Sequence, residues 1–432
     1  MRPPFYVRQL RIDLEEWIAK GLVPAANRDA ILQSVGAGSR TRLDLIIAVF
    51  GVILVGAGAM SFVAANWEEM GKFSRLVVLF GTMWAAYALA IYFIASARDV
   101  IGQAFILLGV LMFGANIMLI AQTYNINAHF PDGVMLWALG ALAAAVIAPS
   151  RAALAAALAL GCVWTWEEYQ YFDVVVHIPF LFFWAACAAM AFVFAWRPAV
   201  HLTIIAFLFW FVLNTEGIAH LFGWGEVESV TIYIFLPLAI WSLMQLLEAR
   251  GNAFSITGAH YAFFVFLASY AVLHFADNGD NTPDSSWLIF AISTSLVALA
   301  AAVVGVSRKA INGVDVLCIA FACVTTIAYV FMVHKGEHAL DVPYLAFTLI
   351  VILWSLQRGV RTDDRFVINV SVVAFGAWVL YVYFVLFSGL MDQAVFFTVG
   401  GFLLILIGLG LEGMRRRLVA GTPQTSTAGA SS

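Results

Sequence analysis

Charge is what this chain has least of. Only 11% of its residues are Asp, Glu, Lys or Arg against 63% hydrophobic, a balance that no soluble core can absorb. Cysteine is scarce too. Cys162, Cys187, Cys318 and Cys323 all fall inside apolar stretches, and the last two stand about 140° apart around a helix, so neither a disulfide framework nor a zinc ribbon is implied. Common catalytic signatures are missing: HExxH, a GxSxG elbow, a P-loop and a dinucleotide glycine fingerprint in a strand–helix setting. No enzyme chemistry and no cofactor are expected. The first 42 residues lack the apolar run of a secretory signal and carry seven Lys or Arg, so the amino end is expected to stay in the cytoplasm. A net charge of −4 gives no footing for nucleic acid.

Apolar runs, by contrast, recur from Leu43 almost to the C-terminus. A hydrocarbon core of roughly 30 Å takes about 20 helical residues to cross. Fourteen stretches fit: 43–65, 76–95, 101–122, 133–148, 151–166, 175–196, 200–222, 229–247, 256–275, 287–306, 314–333, 341–357, 366–387 and 393–412. The fourth and fifth are short and joined by the turn at Pro149 and Arg151, so removing both would leave every other orientation unchanged. The expected fold is all-α, a polytopic transmembrane helical bundle of about 14 spans. Residues 1–42 would form a cytoplasmic helical hairpin, 43–412 the transmembrane domain, and 413–432 a basic, then disordered, cytoplasmic tail.

Orientation follows from the basic residues. With the N-terminus inside, Arg2, Arg8, Arg11, Lys20, Arg28, Arg40, Arg42, Arg98, Arg151, Arg197, Arg250, Arg308, Lys309, Arg358, Arg361, Arg365 and Arg415 to Arg417 are cytoplasmic, 19 of 22 in all. Only Lys72, Arg75 and Lys335 fall outside, which predicts N-in, C-in and an even number of crossings. The outward loops take their solubilising charge from Glu68, Glu69, Glu167, Glu168, Asp173, Glu226, Glu228, Asp277, Asp280 and Asp284. Such carboxylates can attract cations, but they also follow simply from keeping Lys and Arg inside.

In the N-terminal segment Leu10, Leu14, Trp17 and Ile18 recur at helical spacing, Gly21 can end that helix, and Pro24 can start a second with Ile31 and Val35. This hairpin can lie on the membrane surface, pack on cytoplasmic loops or bind a partner.

Glycines seven apart mark close-packing seams: Gly51 with Gly58, Gly102 with Gly109, and Gly401 with Gly408. Asn116 continues the face of Gly102 and Gly109, as an interhelical hydrogen-bonding group or as part of a substrate pathway. Pro237 sits mid-span, where it removes the helical partner of the Tyr233 carbonyl and predicts a kink. Asn214, Glu216 and His220 form the most suggestive local set, because Glu216 and His220 share a helix face about 22 Å along from His201. Six histidines, His129, His177, His220, His274, His334 and His338, fall on or near the outer side. They fit a metal or proton-handling site or, alternatively, interfacial side chains reaching water.

Residues 51–68 run GVIL at the start to FVAANWE at the end, residues 109–124 read GVLMFGANIMLIAQTY, and Asp132-Gly133 precedes LWALGAL at 136–142. With WIAKGLV at 17–23, these stretches resemble the prokaryotic predicted-membrane-protein family known as domain of unknown function 2157, over roughly residues 8–150. The resemblance implies a multi-pass protein of the bacterial cytoplasmic (inner) membrane with a short helical region before its first span. It also gives weight, without assigned chemistry, to Asn66, Trp67, Asn116, Gln122 and Tyr124. Asn66-Trp67-Glu68 and Gln122-Thr123-Tyr124 close the first and third spans on the outer side. Trp67 and Tyr124 suit an interfacial aromatic belt, while Asn66, Glu68, Gln122, Tyr124 and His129 could together form a polar vestibule. Two functions remain open: a transporter or permease-like protein for a small solute, with Glu216 as the coupling group, or a non-catalytic sensor, scaffold or envelope-maintenance factor whose hairpin binds a protein partner. The lipid bilayer is a partner in both.

Overall fold

The computed structural model describes residues 69–126, 129–172, 174–194, 196–248, 253–276, 284–334 and 341–387, with scattered positions between 14 and 65. Its helices are α1 (Lys72–Ala95), α2 (Asp99–Thr123), α3 (Phe130–Ile147), α4 (Arg151–Phe172), α5 (Pro179–Val193), α6 (Arg197–Leu221), α7 (Glu226–Glu248), α8 (Ala253–Val272, extended by a short 3-10 turn at Leu273–Phe275), α9 (Ser285–Ser307), α10 (Gly313–His334), α11 (Asp341–Thr362) and α12 (Arg365–Phe387). Each coincides with one of the expected spans from the second to the thirteenth. Among the described residues, ten helices are long and apolar enough to cross a membrane. α5 has 15 residues, about 22 Å, which falls short of a roughly 30 Å core. α4 runs six residues past its expected end at 166, because Glu167, Glu168 and Gln170 continue the helix as its polar last turn.

The fourteenth span (393–412), Gly401 and Gly408, the tail (413–432), and Asn66, Trp67 and Glu68 lie outside the described residues, as does most of the N-terminal segment and part of the first span. Within the hairpin segment, the Glu15 carboxylate accepts from Arg28 at 3.0 Å and Leu14 is buried.

Five helices end alike. A residue with positive φ follows the helix, and the next N–H reaches back five residues to a carbonyl: Arg98 to Phe93, Ile126 to Ala121, Trp224 to Ala219, Ala310 to Gly305 and Asp364 to Gly359, each at 2.9 Å. The left-handed positions are Ala97, Asn125, Gly223, Lys309 and Asp363. These bonds satisfy carbonyls that the helix end would otherwise leave open.

The chain divides into two compact units, residues 1–210 and 211–432. In the first, α1 packs on α2, α2 on α3 and α4, α3 on α4, and α4 on α5. Its core includes Leu79, Met83, Ala86, Leu108 and Met112. The expected seam of Gly102 and Gly109 is there: a Cβ at Gly102 would stand 2.5 Å from Ile94, and one at Gly109 would stand 2.5 Å from the Tyr87 ring. Among the described residues, a Cβ at Gly51 or Gly58 would meet no atom of another element within 4 Å, while one at Gly56 would stand 3.3 Å from Leu108. A glycine pair makes a seam only where a partner helix comes onto its face, and spacing within one helix does not say where that is. In the second unit α7 is central, packing on α8, α9 and α10, with α11 on α12 and α8 on α12. Its core combines aliphatic side chains with large buried aromatics, among them Trp241, Phe263, Phe266, Tyr270, Trp287 and Tyr344.

Candidate functional site

In the first unit Asn116 is 2% exposed and lies on the α1–α2 seam. Its amide nitrogen donates to the Met112 carbonyl at 2.8 Å and approaches the Leu79 carbonyl at 3.5 Å and Met83 Sδ at 3.7 Å. Its Oδ1 is buried without a hydrogen-bond partner among the described residues. The short bond stays within α2, and the two longer contacts reach across the seam to α1. Gln122 and Tyr124 are exposed, and Tyr124 lies beneath the Lys72 ammonium, 5.4 Å from ring to Nζ, a cation–π contact. His129 has different partners.

Its Nδ1 is 3.4 Å from Asp132 Oδ1 and its Nε2 is 3.4 Å from Glu168 Oε2, with the Phe172 ring 4.0 Å away. Of the expected vestibule's described residues, Gln122 is exposed, Tyr124 contacts Lys72, and His129 contacts Asp132 and Glu168. Among the described residues, His129, Asp132 and Glu168 are the donor set that could hold a metal ion. Nearby in sequence, His177 in the α4–α5 connection is buried, its Nδ1 3.0 Å from Thr165 Oγ1 and its carbonyl accepting from Trp210 Nε1 at 2.7 Å. Burial pushes its pKa down to about 4, so near neutral pH the imidazole is uncharged.

In the second unit α6 ends and α7 begins around a cleft of about 520 Å³ lined by Thr215, Glu216, His220, Glu226, Ser229 and Tyr233, among others. Glu216 and His220 do share one face, as their spacing requires, and both are exposed. Asn214 does not join them. It is 1% exposed and buried in the protein, because two residues along a helix is about 200° around its axis. The Tyr233 hydroxyl donates to Thr215 Oγ1 at 2.6 Å, and Thr215 donates in turn to the Phe211 carbonyl at 2.6 Å. Pro237 lies inside α7, one turn beyond Tyr233. Position 237 has no N–H to offer the Tyr233 carbonyl.

Among the described residues, a densely paired buried carboxylate lies at a position that the sequence pattern did not single out. Asp315, in the first turn of α10, is fully buried. Its Oδ1 accepts from Trp354 Nε1 at 2.9 Å; its Oδ2 accepts from Arg358 at 2.7 Å, from Arg361 at 2.5 Å and from the Asn312 N–H at 3.0 Å. The Arg358 guanidinium also sits 4.5 Å over the Trp241 ring. The available signal was the i, i+4, i+7 spacing of Trp354, Arg358 and Arg361, which puts all three on one helix face. A second polar joint ties α8 to the start of α12, where Asp364 Oδ2 is 2.8 Å from His260 Nε2 and Oδ1 accepts the N–H groups of Phe366 and Val367. Burial raises the Asp364 pKa, but the hydrogen bond and charge of His260 and the two N–H groups outweigh it and hold the carboxyl below its ordinary value.

No curated protein and no solved structure matches the chain. The family comparison covers the same stretches, from the WIAKGLV segment to LWALGAL, that carry the resemblance in the sequence. The chain is a membrane protein with many apolar helices, and its residues 15–154 match the model of the family described as predicted membrane protein (DUF2157).

Proposed function

We propose that the protein is a transporter or permease-like carrier of a small solute in the bacterial cytoplasmic membrane, with about 14 spans and both ends in the cytoplasm. The observation that carries this reading is the polar cleft at Glu216. Two carboxylates, one imidazole and three hydroxyls converge there between the end of one apolar helix and the start of the next. A few polar groups on an otherwise apolar framework are what orient a small ligand, and two carboxylates favour a cationic one. Pro237 strengthens the reading, because the carbonyl it releases belongs to Tyr233, whose side chain lines the cleft. Freed helix carbonyls beside a polar cavity are a recurrent way to meet a solute inside a membrane. Agreement of the described helices with twelve consecutive expected spans supports the 14-span arrangement, and the placement of basic residues supports the orientation. No catalytic step and no nucleic-acid partner is part of the proposal.

Glu216 is the group on which coupling would depend. Purified protein in nanodiscs, screened for thermal shift against small cations, amines, amino acids and sugars, should give a saturable hit. A ligand at about one hundred times its dissociation constant stabilises by roughly 2.7 kcal/mol if it binds only the folded state. Glu216→Gln should lose both that shift and flux in proteoliposomes while inserting normally. Unchanged shift and flux would remove Glu216 from the mechanism. No hit across the panel would favour the scaffold or sensor alternative, for which the Glu15–Arg28 ion pair across the N-terminal hairpin is the supporting observation.

A further inference from the structure

The first unit holds a constellation that solute binding at Glu216 does not use. His129 directly precedes α3, Asp132 is in its first turn, and Glu168 is near the end of α4. α3 and α4 pack against each other, which returns Glu168 to the imidazole. One donor atom from each of the three residues lies within 4.8 Å of the other two. Glu168 is 8% exposed, and among the described residues the one polar contact of its carboxylate is His129 Nε2 at 3.4 Å. A carboxylate that deep needs a cation or close donors, and a contact of 3.4 Å is a long hydrogen bond. It is, however, the right separation for two ligands of one ion: donors about 2.1 Å from a tetrahedral centre lie about 3.4 Å apart.

An imidazole gives an ion only one nitrogen. In metal sites the other nitrogen usually donates its hydrogen to a carboxylate, which fixes the tautomer and the ring. Asp132 Oδ1, a long contact at 3.4 Å from Nδ1, is the carboxylate that can close on that nitrogen once an ion fixes the ring. A nitrogen donor among carboxylates selects a first-row transition ion over Mg²⁺ or Ca²⁺, which prefer all-oxygen shells.

We propose that His129 Nε2 and Glu168 bind a divalent first-row transition ion such as Zn²⁺ or Mn²⁺, with Asp132 holding the imidazole in place. The side chain of Asp132 is exposed and that of His129 is at the edge of exposure, so the remaining coordination positions are open to water. The site is a metal-binding function additional to solute binding and does not depend on it.

The test uses the full chain in nanodiscs, stripped with chelator. Isothermal titration with Zn²⁺ should show one saturable equivalent, lost in His129→Gln and in Glu168→Gln and weakened roughly 10–100-fold in Asp132→Asn. Because either glutamine variant could fold poorly, Mn²⁺ bound to the unaltered protein is read by pulsed electron paramagnetic resonance, where coupling to one imidazole ¹⁴N is expected. Absence of a saturable equivalent, absence of the nitrogen coupling, or unchanged binding in both glutamine variants would each overturn the proposal. Equal competition by Ca²⁺ would overturn the assigned class of ion.

Discussion

The two units solve the same problem with different chemistry. Lipid tails are as apolar as leucine, so helices in a bilayer have little hydrophobic reason to associate and rely on close packing and on polar contacts. The first unit relies on packing. Trp137 of α3 rests on Gly114 of α2 while Phe113 of α2 rests on Gly140 of α3, so close that a Cβ would stand 2.1 Å from the first ring and 2.3 Å from the second. The second unit relies more on polar groups between large aromatic surfaces: Trp287 donates to Thr231, Ser355 pairs with Ser371, Tyr270 pairs with Thr325, and Asp315 gathers Trp354, Arg358 and Arg361. Both units use both devices, but the tightest glycine seats lie in the first and the buried ionic cluster lies in the second.

The largest effect should come from the Asp315 cluster. Asp315→Ala would break the ion pair that Asp315 makes with Arg358, which is 4% exposed, and breaking a buried pair costs about 3–5 kcal/mol. Reversible unfolding in mixed micelles should register that loss, and hydrogen exchange should place it in α10 and α11. A loss below about 1 kcal/mol would mean that water or the Trp241 ring holds the guanidinium, and that the second unit is cemented by its aromatics alone.

Gly114→Ala strikes at the other strategy. The new methyl would overlap the Trp137 ring, whose Nε1 is already fixed to the Val110 carbonyl at 2.8 Å, so the ring has little freedom to retreat. Overpacking of this kind costs about 1–3 kcal/mol, and the same unfolding assay with exchange read in α2 and α3 tests it. Neutral behaviour would show that the α2–α3 contact is loose and that the contrast between the units is one of degree.

How much of this was legible follows the same division. Helix positions could be read because apolar length announces a helix in such a chain, and twelve consecutive helices lie where spans were expected, ten of them long and apolar enough to cross a membrane. The edges moved where polarity and helix disagree: Glu167 and Glu168 look like loop yet end α4, while Pro179 starts α5 four residues inside its expected span. The Gly102–Gly109 seam showed in the spacing, but the Gly114 and Gly140 seats did not, because each is defined by an aromatic on another helix. Glu216 and His220 were legible as an i, i+4 pair. Asp315 was not, since its partners lie in a different helix and their charges have a sufficient explanation in topology. Glu168 was hidden for a similar reason, as one more acidic residue of an outward end.

Removing one hydroxyl from the second unit should matter least. The Tyr270 hydroxyl lies 2.7 Å from Thr325 Oγ1, and Thr325 also donates to the Phe321 carbonyl at 2.7 Å, so the tyrosine is the donor between them. In Tyr270→Phe the threonine keeps its own acceptor, and no donor is stranded. The carbonyl of residue 270, which accepts from the Tyr344 hydroxyl at 3.0 Å, is untouched, and the ring remains in the core. What is lost is one interhelical hydrogen bond, worth about 0.6 kcal/mol on average in membrane proteins, and unfolding should shift by about that much. A loss above about 2 kcal/mol would sharpen the comparison in the other direction: the hydroxyls would then act as a cooperative network, and the second unit would owe its order to them rather than to the aromatic surfaces they join.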